Sequence, residues 1–416
     1  MQKISLAIIT FGMSFFSLKF TLTKTLIACD EFKYLYQKNN EDHCFNNPNG
    51  EYNTTEIVRK WEGYTAEEYN IYTEDGYQIL IIRAYSKISQ KTPIAIGHGL
   101  SQNSSGLVLR DDKSITKFLG DHGYDIWMIN FRGTSESLGH VNKSADNLDY
   151  WTFSFHELGY YDIPAVLDLI IRTTNQKPIY LGISLGSTAS YVFGSARPDM
   201  AKEKLKGIIS YAPVGYMKNI KSYVKFLAPF QPILEPILRQ VFKGAIRSSG
   251  FMESFCTKFP FQIYICETVK MVFFGDRYAQ IDTIDAPILL QLQDNVPVGI
   301  LAHFAQLINS GELRHRSFGG SENIKRYGQP VPPNYDVSKI PVPVSLVVGA
   351  NDWLGTLDNA KRLYSLLNES SKYGLHVVKY KKWSHIDFEE GRDIIPLVLE
   401  PTLLYLKNLE NERLIR

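Results

Sequence analysis

Cysteine and net charge are both scarce in this chain: 416 residues carry four cysteines and a formal charge of +2. The Lys and Arg residues are scattered, with none of the dense basic stripes that a nucleic-acid surface needs, so nucleic acid is excluded as a partner. Cys29, Cys44, Cys256 and Cys266 make two sequence-local pairs, neither spaced C-x-x-C, and no histidine pair at helical spacing accompanies them. That pattern argues against a metal site and for short-range disulfides in an oxidising compartment, with three pairings open. Internal repeats and low-complexity segments are lacking too. The uncharged run from Ile4 to Leu18, "ISLAIITFGMSFFSL", is shorter than the roughly 18 to 20 apolar residues of a membrane span. Preceded by Lys3 and followed by Lys19 and Lys24, it reads as a secretory signal over residues 1–24, which leaves no transmembrane span in the mature chain. The competing readings are a membrane anchor and, at "LIAC" before Asp30, a lipoprotein cleavage box. Sequons at Asn53, Asn103, Asn142 and Asn368 are glycosylation candidates in keeping with secretion.

What the chain does have is apolar mass, 44% of its residues, enough for a substantial core. From Glu68, "EYNIYTEDGYQILIIRAY" shows two β-prone runs joined at "EDG", where Asp-Gly supplies the positive φ of a tight hairpin. Short apolar runs then alternate with helical patterns: "PIAIGHG" from Pro93, "YDIWMINF" from Tyr124, "PIYLGIS" from Pro178, "KGIISYAPV" from Lys206, "VPVSLVVGAND" from Val342 and "LHVVKYKKWSH" from Leu375. Among the helix candidates, "FHELGYYDIPAVLDLIIRTT" from Phe155 repeats its apolar residues at steps of three and four. The alternation predicts an α/β fold with a mostly parallel sheet and helices on both faces, built from residues 25–214 and 337–416. Between them, 215–336 is too long for a connection and rich in Phe, Ile, Leu and Pro. It is expected to form a mainly helical cap or lid over an apolar pocket at the strand ends.

The run "KPIYLGISLGSTASYV" starts as a strand at Lys177 and then brackets Ser184 between Gly182 and Gly186. A strand-to-helix turn sharp enough to expose a serine hydroxyl forces strained backbone and close packing, which is why glycine is needed on both sides. Asp352 and His385 follow later strand candidates, in the order Ser, Asp, His. They are the candidates for tautomer-fixing acid and general base, with Ser184 as nucleophile. Asp358 is the rival acid but falls inside a helix pattern. The N–H of Leu185 and that of Leu100 in "GHGL" are the expected oxyanion donors. His98 is read as structural, and Arg132 in "NFRGTS" as fixing a loop.

Several stretches together resemble one family: "GYTAEEYNIYTEDGYQILIIR", "GHGL", "GYDIWMINFRGTSES", "HELGYYDIPAVLDLI", "VVGANDWLG" and "WSHIDFEEGRD" are similar, in order, to segments of the acid lipases of gastric and lysosomal type. These belong to the α/β-hydrolase superfamily, and the likeness runs from about Trp61 to beyond Pro401. It implies a triad of Ser184, Asp352 and His385, oxyanion donors at Leu100 and Leu185, and a cap disulfide between Cys256 and Cys266. It also implies hydrolysis of triacylglycerols or sterol esters at a lipid–water interface, by a secreted or lysosomal monomer without cofactor or metal. The family usually has His before the nucleophile and Gln after it, where this chain has Ile183 and Leu185. The oxyanion donor is a backbone group that Leu185 can still supply, so this departure bears on acid tolerance and substrate choice. The Cys29 and Cys44 pair has no counterpart in the resemblance. The alternatives are a non-catalytic lipid carrier of the same fold and an esterase for smaller soluble esters.

Overall fold

The apolar runs become strands whose side chains alternate between two buried faces. The computed structural model describes residues 27–36, 42–46, 48–248, 255–256, 259–290 and 293–411, so the expected signal segment lies outside them. Its main sheet contains β1 (Tyr64–Tyr72), β2 (Tyr77–Ser86), β3 (Pro93–Gly97), β4 (Asp125–Ile129), β5 (Ile179–Ile183), β6 (Gly207–Tyr211), β7 (Val344–Val348) and β8 (Lys372–Val377). Their spatial order is β8-β7-β6-β5-β3-β4-β2-β1, with Gly139–His140 pairing at the end of β2. Strands β3 to β8 run parallel, and β1 and β2 form an antiparallel hairpin against β4.

Every residue of β3 to β7 is buried, as expected when helices cover both faces. Ala95, Trp127 and Tyr180 join one core; their neighbours Ile94, Ile126 and Ile179 join the other. On the second face lie α1 (Ile115–Asp121), capped by the Ser114 hydroxyl, and the C-terminal helix that carries Leu406 and Leu409. On the first lie α2 (Ile163–Thr174) and α3 (Leu185–Ala196).

Three elements depart from the sequence expectation for identifiable reasons. The hairpin loop takes positive φ only at Gly76 (88°), while Asp75 turns its carboxylate onto the Arg132 guanidinium at 2.7 Å. The helix from Phe155 is not continuous. It widens to a π-turn over Leu158–Asp162, in which the Ile163 N–H bonds the Leu158 carbonyl, and α2 then starts around Pro164, which has no N–H for the ladder. The widened turn aims Asp162 at Arg132, 2.6 Å away, and both side chains are fully buried. The last strand begins at Lys372, three residues before its apolar run, because Val344 to Val348 of β7 pair with Lys372 to Val377; the lysine-rich stretch after it is loop.

Between β6 and β7 the chain leaves the sheet. This segment carries α4 (Gln231–Val241), α5 (Pro260–Phe274) and α6 (Val298–Ser310), and a disulfide joins Cys256 to Cys266. The second disulfide, Cys29 to Cys44, closes a two-stranded antiparallel ribbon, Ile27–Cys29 with Cys44–Asn46. After this ribbon's first strand Phe32 packs with Ile263, Cys266, Ile281 and Leu290 of the excursion, edge-on to Tyr264. The N-terminal pair therefore clips a ribbon that braces the excursion.

Arg132 is held by two carboxylates, and removing one leaves a buried charge half-compensated. Asp162→Ala is expected to lower the unfolding free energy by about 3 to 5 kcal/mol in urea titration, whereas Asp162→Asn, which keeps a hydrogen-bond acceptor, costs less.

Candidate active site

Ser184 stands one residue beyond β5, at the N-terminus of α3, with φ 51° and ψ −105°. Few non-glycine residues adopt such angles, and the neighbours show what enforces them. A Cβ at Gly182 would lie 2.6 Å from the backbone of Gly186, and one at Gly186 would run into the Gly97 carbonyl at the end of β3. Two hydrogen bonds lock the turn: the Ser184 N–H donates to Tyr211 at 3.0 Å and the Gly186 N–H to His98 at 3.1 Å.

Asp352 lies in the loop after β7 and His385 in the loop after β8. His385 Nε2 is 2.8 Å from Ser184 Oγ, and its Nδ1 is 2.8 Å from Asp352 Oδ2. The other Asp352 oxygen accepts the N–H groups of Leu354 (2.8 Å) and Gly355 (2.7 Å). An ionised carboxylate only accepts, so Nδ1 carries the proton and Nε2 is free to accept from the serine hydroxyl. Burial pushes the imidazole pKa down, but the charge and hydrogen bond of Asp352, with Glu389 beyond, outweigh it and leave it raised. Asp352 is not the cap of the following helix. That role belongs to Thr356, and Asp358 lies in the helix's first turn, Leu357–Leu366.

Leu185 follows the serine directly and lines one small cavity with Leu100, and the N–H groups of both donate to no other group among the described residues. His98, with its pKa pushed down to about 4 by burial, uses both ring nitrogens: Nδ1 meets the Gly99 carbonyl at 2.7 Å and Nε2 accepts the Phe131 N–H at 3.3 Å. It holds the loop and is no second base. Phe274, at the C-terminus of α5, stacks on the His385 ring at 5.8 Å, and its carbonyl accepts the N–H groups of His385 and Trp353, both at 3.3 Å. The excursion thus reaches the histidine directly.

Sequence reasoning did not single out the charges that anchor this contact. Arg277 bonds Asp387 at 3.1 Å, Glu390 at 2.6 Å and Glu267 at 2.9 Å, and Lys270 meets Glu390 at 3.1 Å. The run of acids in "DFEEGRD" after the histidine was the available signal, because acids beside a buried loop require cations from elsewhere. Of the sequon residues, Asn53, Asn142 and Asn368 are exposed, while Asn103 is half-buried and its amide donates to Asp294 at 2.7 Å.

Comparison with known proteins places this geometry in a family. Residues 54–110 match the family described as a partial alpha/beta-hydrolase lipase region. Gastric triacylglycerol lipase of Mus musculus is 30% identical over 361 residues, covering 82% of this chain and 88% of its own. The chain belongs to the acid lipase family, of gastric and lysosomal type. Another relative of this acid lipase is lipase member M of Homo sapiens, 29% identical over 86% of this chain and 88% of its own. Among solved structures, a soluble variant of monoglyceride lipase from Saccharomyces cerevisiae superposes with a TM-score of 0.52 at 13% identity, covering 84% of this chain and 97% of that one. At that identity the likeness concerns the fold alone, which is that of the α/β-hydrolases.

The dominant upward influence on the imidazole is the charge of Asp352. In Asp352→Asn the pKa of His385 is expected to fall, followed by NMR of the ring protons. An unchanged titration would show that the carboxylate does not tune the ring.

Proposed function

We propose that this acid lipase hydrolyses carboxylic esters of neutral lipids, triacylglycerols or sterol esters, through an acyl-enzyme on Ser184. The observation that carries the reading is the unbroken chain of two 2.8 Å hydrogen bonds from Ser184 through His385 to Asp352. In the first half-reaction His385 takes the hydroxyl proton as Ser184 Oγ attacks the ester carbonyl. The oxyanion then forms beside the free N–H groups of Leu100 and Leu185, and the histidine returns its proton to the departing alcohol. Water repeats the sequence and releases the fatty acid. Asp352 holds the Nδ1–H tautomer and balances the imidazolium.

Residues 215–336 serve in this reading as the cap, with Cys256–Cys266 as its disulfide, and the chain is exported to the cell exterior or a lysosome. Glycans are proposed at Asn53, Asn142 and Asn368, whose side chains are exposed. The case for a lipid substrate comes from the surface. Phe226, Leu227, Phe230, Ile233, Ile237 and Val241 are each more than half exposed along the segment that leads into and through α4, and no residue of α4 is buried. A contiguous apolar face of this kind is costly in water and suited to a lipid surface.

Ser184→Ala is expected to lose on the order of 10⁶ in turnover of triolein, cholesteryl oleate and a short soluble ester alike. Activity equal to that of the unaltered protein would remove the nucleophile assignment. The double change Ile233→Asp with Ile237→Asp is expected to cut turnover of emulsified triolein on the order of 10-fold or more while leaving the soluble ester untouched. Parallel losses on both substrates would detach α4 from lipid binding.

A further inference from the structure

Glu389 and Gln102 lie 287 residues apart in sequence and meet beneath the loop that carries the Leu100 N–H. Gln102 bridges two groups: its Oε1 accepts the Gly99 N–H at 3.2 Å, and its Nε2 donates to Glu389 Oε2 at 2.6 Å. The other oxygen of Glu389, Oε1, is buried without a hydrogen-bond partner. It lies 3.8 Å from where a Cβ on Gly99 would sit, so the carboxylate is directly under the Gly99 peptide. In addition, His98 Nδ1 meets the Gly99 carbonyl at 2.7 Å, and the Asp294 N–H bonds the Ser101 carbonyl at 2.7 Å, with Ser101 held at φ 62°. The loop between strand end and oxyanion donor is therefore held by His98, by Gln102 and by the Asp294 N–H, and Glu389 reaches it through Gln102.

Resting on the triad reading above, we propose that Gln102 and Glu389 form a positioning pair for the reaction: the amide aims the Gly99–Leu100 peptide at the oxyanion, and the ionised carboxylate that holds the amide also supports the His385 imidazolium. Three residues separate Glu389, in the short helix Asp387–Glu390, from His385, and ionised Glu389 favours the charged ring. Burial raises the Glu389 pKa to about 7; Gln102 opposes that shift, Glu390 adds to it, and His385 opposes it. The neighbouring charges leave Glu389 without a cation of its own. Glu390 is taken by Lys270 and Arg277. Arg110 donates to the Glu389 backbone carbonyl at 2.9 Å but spends its charge on Asp285. The acid and the His385 ring consequently influence each other's charge.

The sign follows from the couplings. His385 must be neutral to accept the serine proton, so the acid limb of kcat/KM tracks its pKa. Ionised Glu389 raises that pKa, and its removal moves the limb to lower pH. Glu389→Gln keeps an acceptor for Gln102 and removes only the charge; Gln102→Leu removes the bridge and keeps the charge. The test uses the full chain on a short soluble ester, with Ser184 counted by phosphonate labelling so that turnover is per folded site. Glu389→Gln is expected to shift the acid limb down by about half a pH unit. Gln102→Leu is expected to lower kcat about 10- to 100-fold at nearly constant KM, the mark of a displaced oxyanion donor. A superimposable profile for Glu389→Gln, or an unchanged kcat for Gln102→Leu, overturns the pair's role. Ser184→Ala separates the two readings: activity retained there defeats the triad itself, whereas activity lost there beside an unshifted Glu389→Gln profile defeats only the positioning pair.

Discussion

The approach of Gly186 to Gly97 sets the geometry on which the rest of the molecule depends. Backbone meets backbone where α3 leaves β5 and crosses the end of β3, at a distance no side chain could share. That contact forces Ser184 into a conformation costing about 1 to 3 kcal/mol, and the cost is sustained because the surroundings leave no alternative. Behind the turn, Ser187 Oγ donates to Gly182 at 2.8 Å and Thr188 Oγ1 to Val214 at 2.6 Å, so the small polar residues after the serine tie the helix start to β5 and to the loop after β6. Hydroxyls buried at such a site need partners, and each has one.

With the serine fixed, the parallel arrangement does the remaining positioning. Side chains at the C-terminal ends of β5, β7 and β8 emerge on the same edge of the sheet, so residues at 184, 352 and 385 converge without any local sequence relation. The central place of β3, flanked by β5 and β4, puts the start of the Gly97–Leu100 loop against the turn that carries Ser184. A frame whose strands are buried on both faces cannot slip by one residue without exposing an entire core, which is what holds three loops in register with one another.

The features that were legible in the sequence are those written in neighbouring residues. Two glycines around a serine, apolar runs of strand length and polar residues at their ends can all be read locally, and they locate Ser184, Asp352 and His385. What escaped reading is carried by partners far apart in the chain. Arg277 and Asp387 are separated by 110 residues, and nothing local to either announces the other. The π-turn at Leu158–Asp162 was hidden for a different reason: its apolar spacing still satisfies a helical period, and only the buried demand of Arg132 and the missing N–H of Pro164 favour the wider turn. The onset of β8 was likewise set by the length of its neighbour β7, which outweighs the strand's own apolar pattern.

The excursion between β6 and β7 combines two opposed kinds of surface, and their separation carries its own logic. Where α5 ends against the histidine loop, the junction is ionic and buried, a combination that stabilises little in net terms because each charge must first lose its water. An apolar junction would hold as firmly but could slide; Arg277, with three carboxylates in fixed directions, permits one seat only. That seat matters because the Phe274 carbonyl at the helix end accepts the N–H groups of both the histidine and the acid loops. A shift of α5 would therefore pull on His385 and on the loop of Asp352 together. The α4 helix has the reverse character: its ion pair with Arg316 through Glu235 and the Arg239 bond to Trp151 tether it from one side, and Ile233, Ile237 and Val241 face outward. One helix directs its contacts inward, onto the loops of His385 and Asp352, and the other leaves Ile233, Ile237 and Val241 in water.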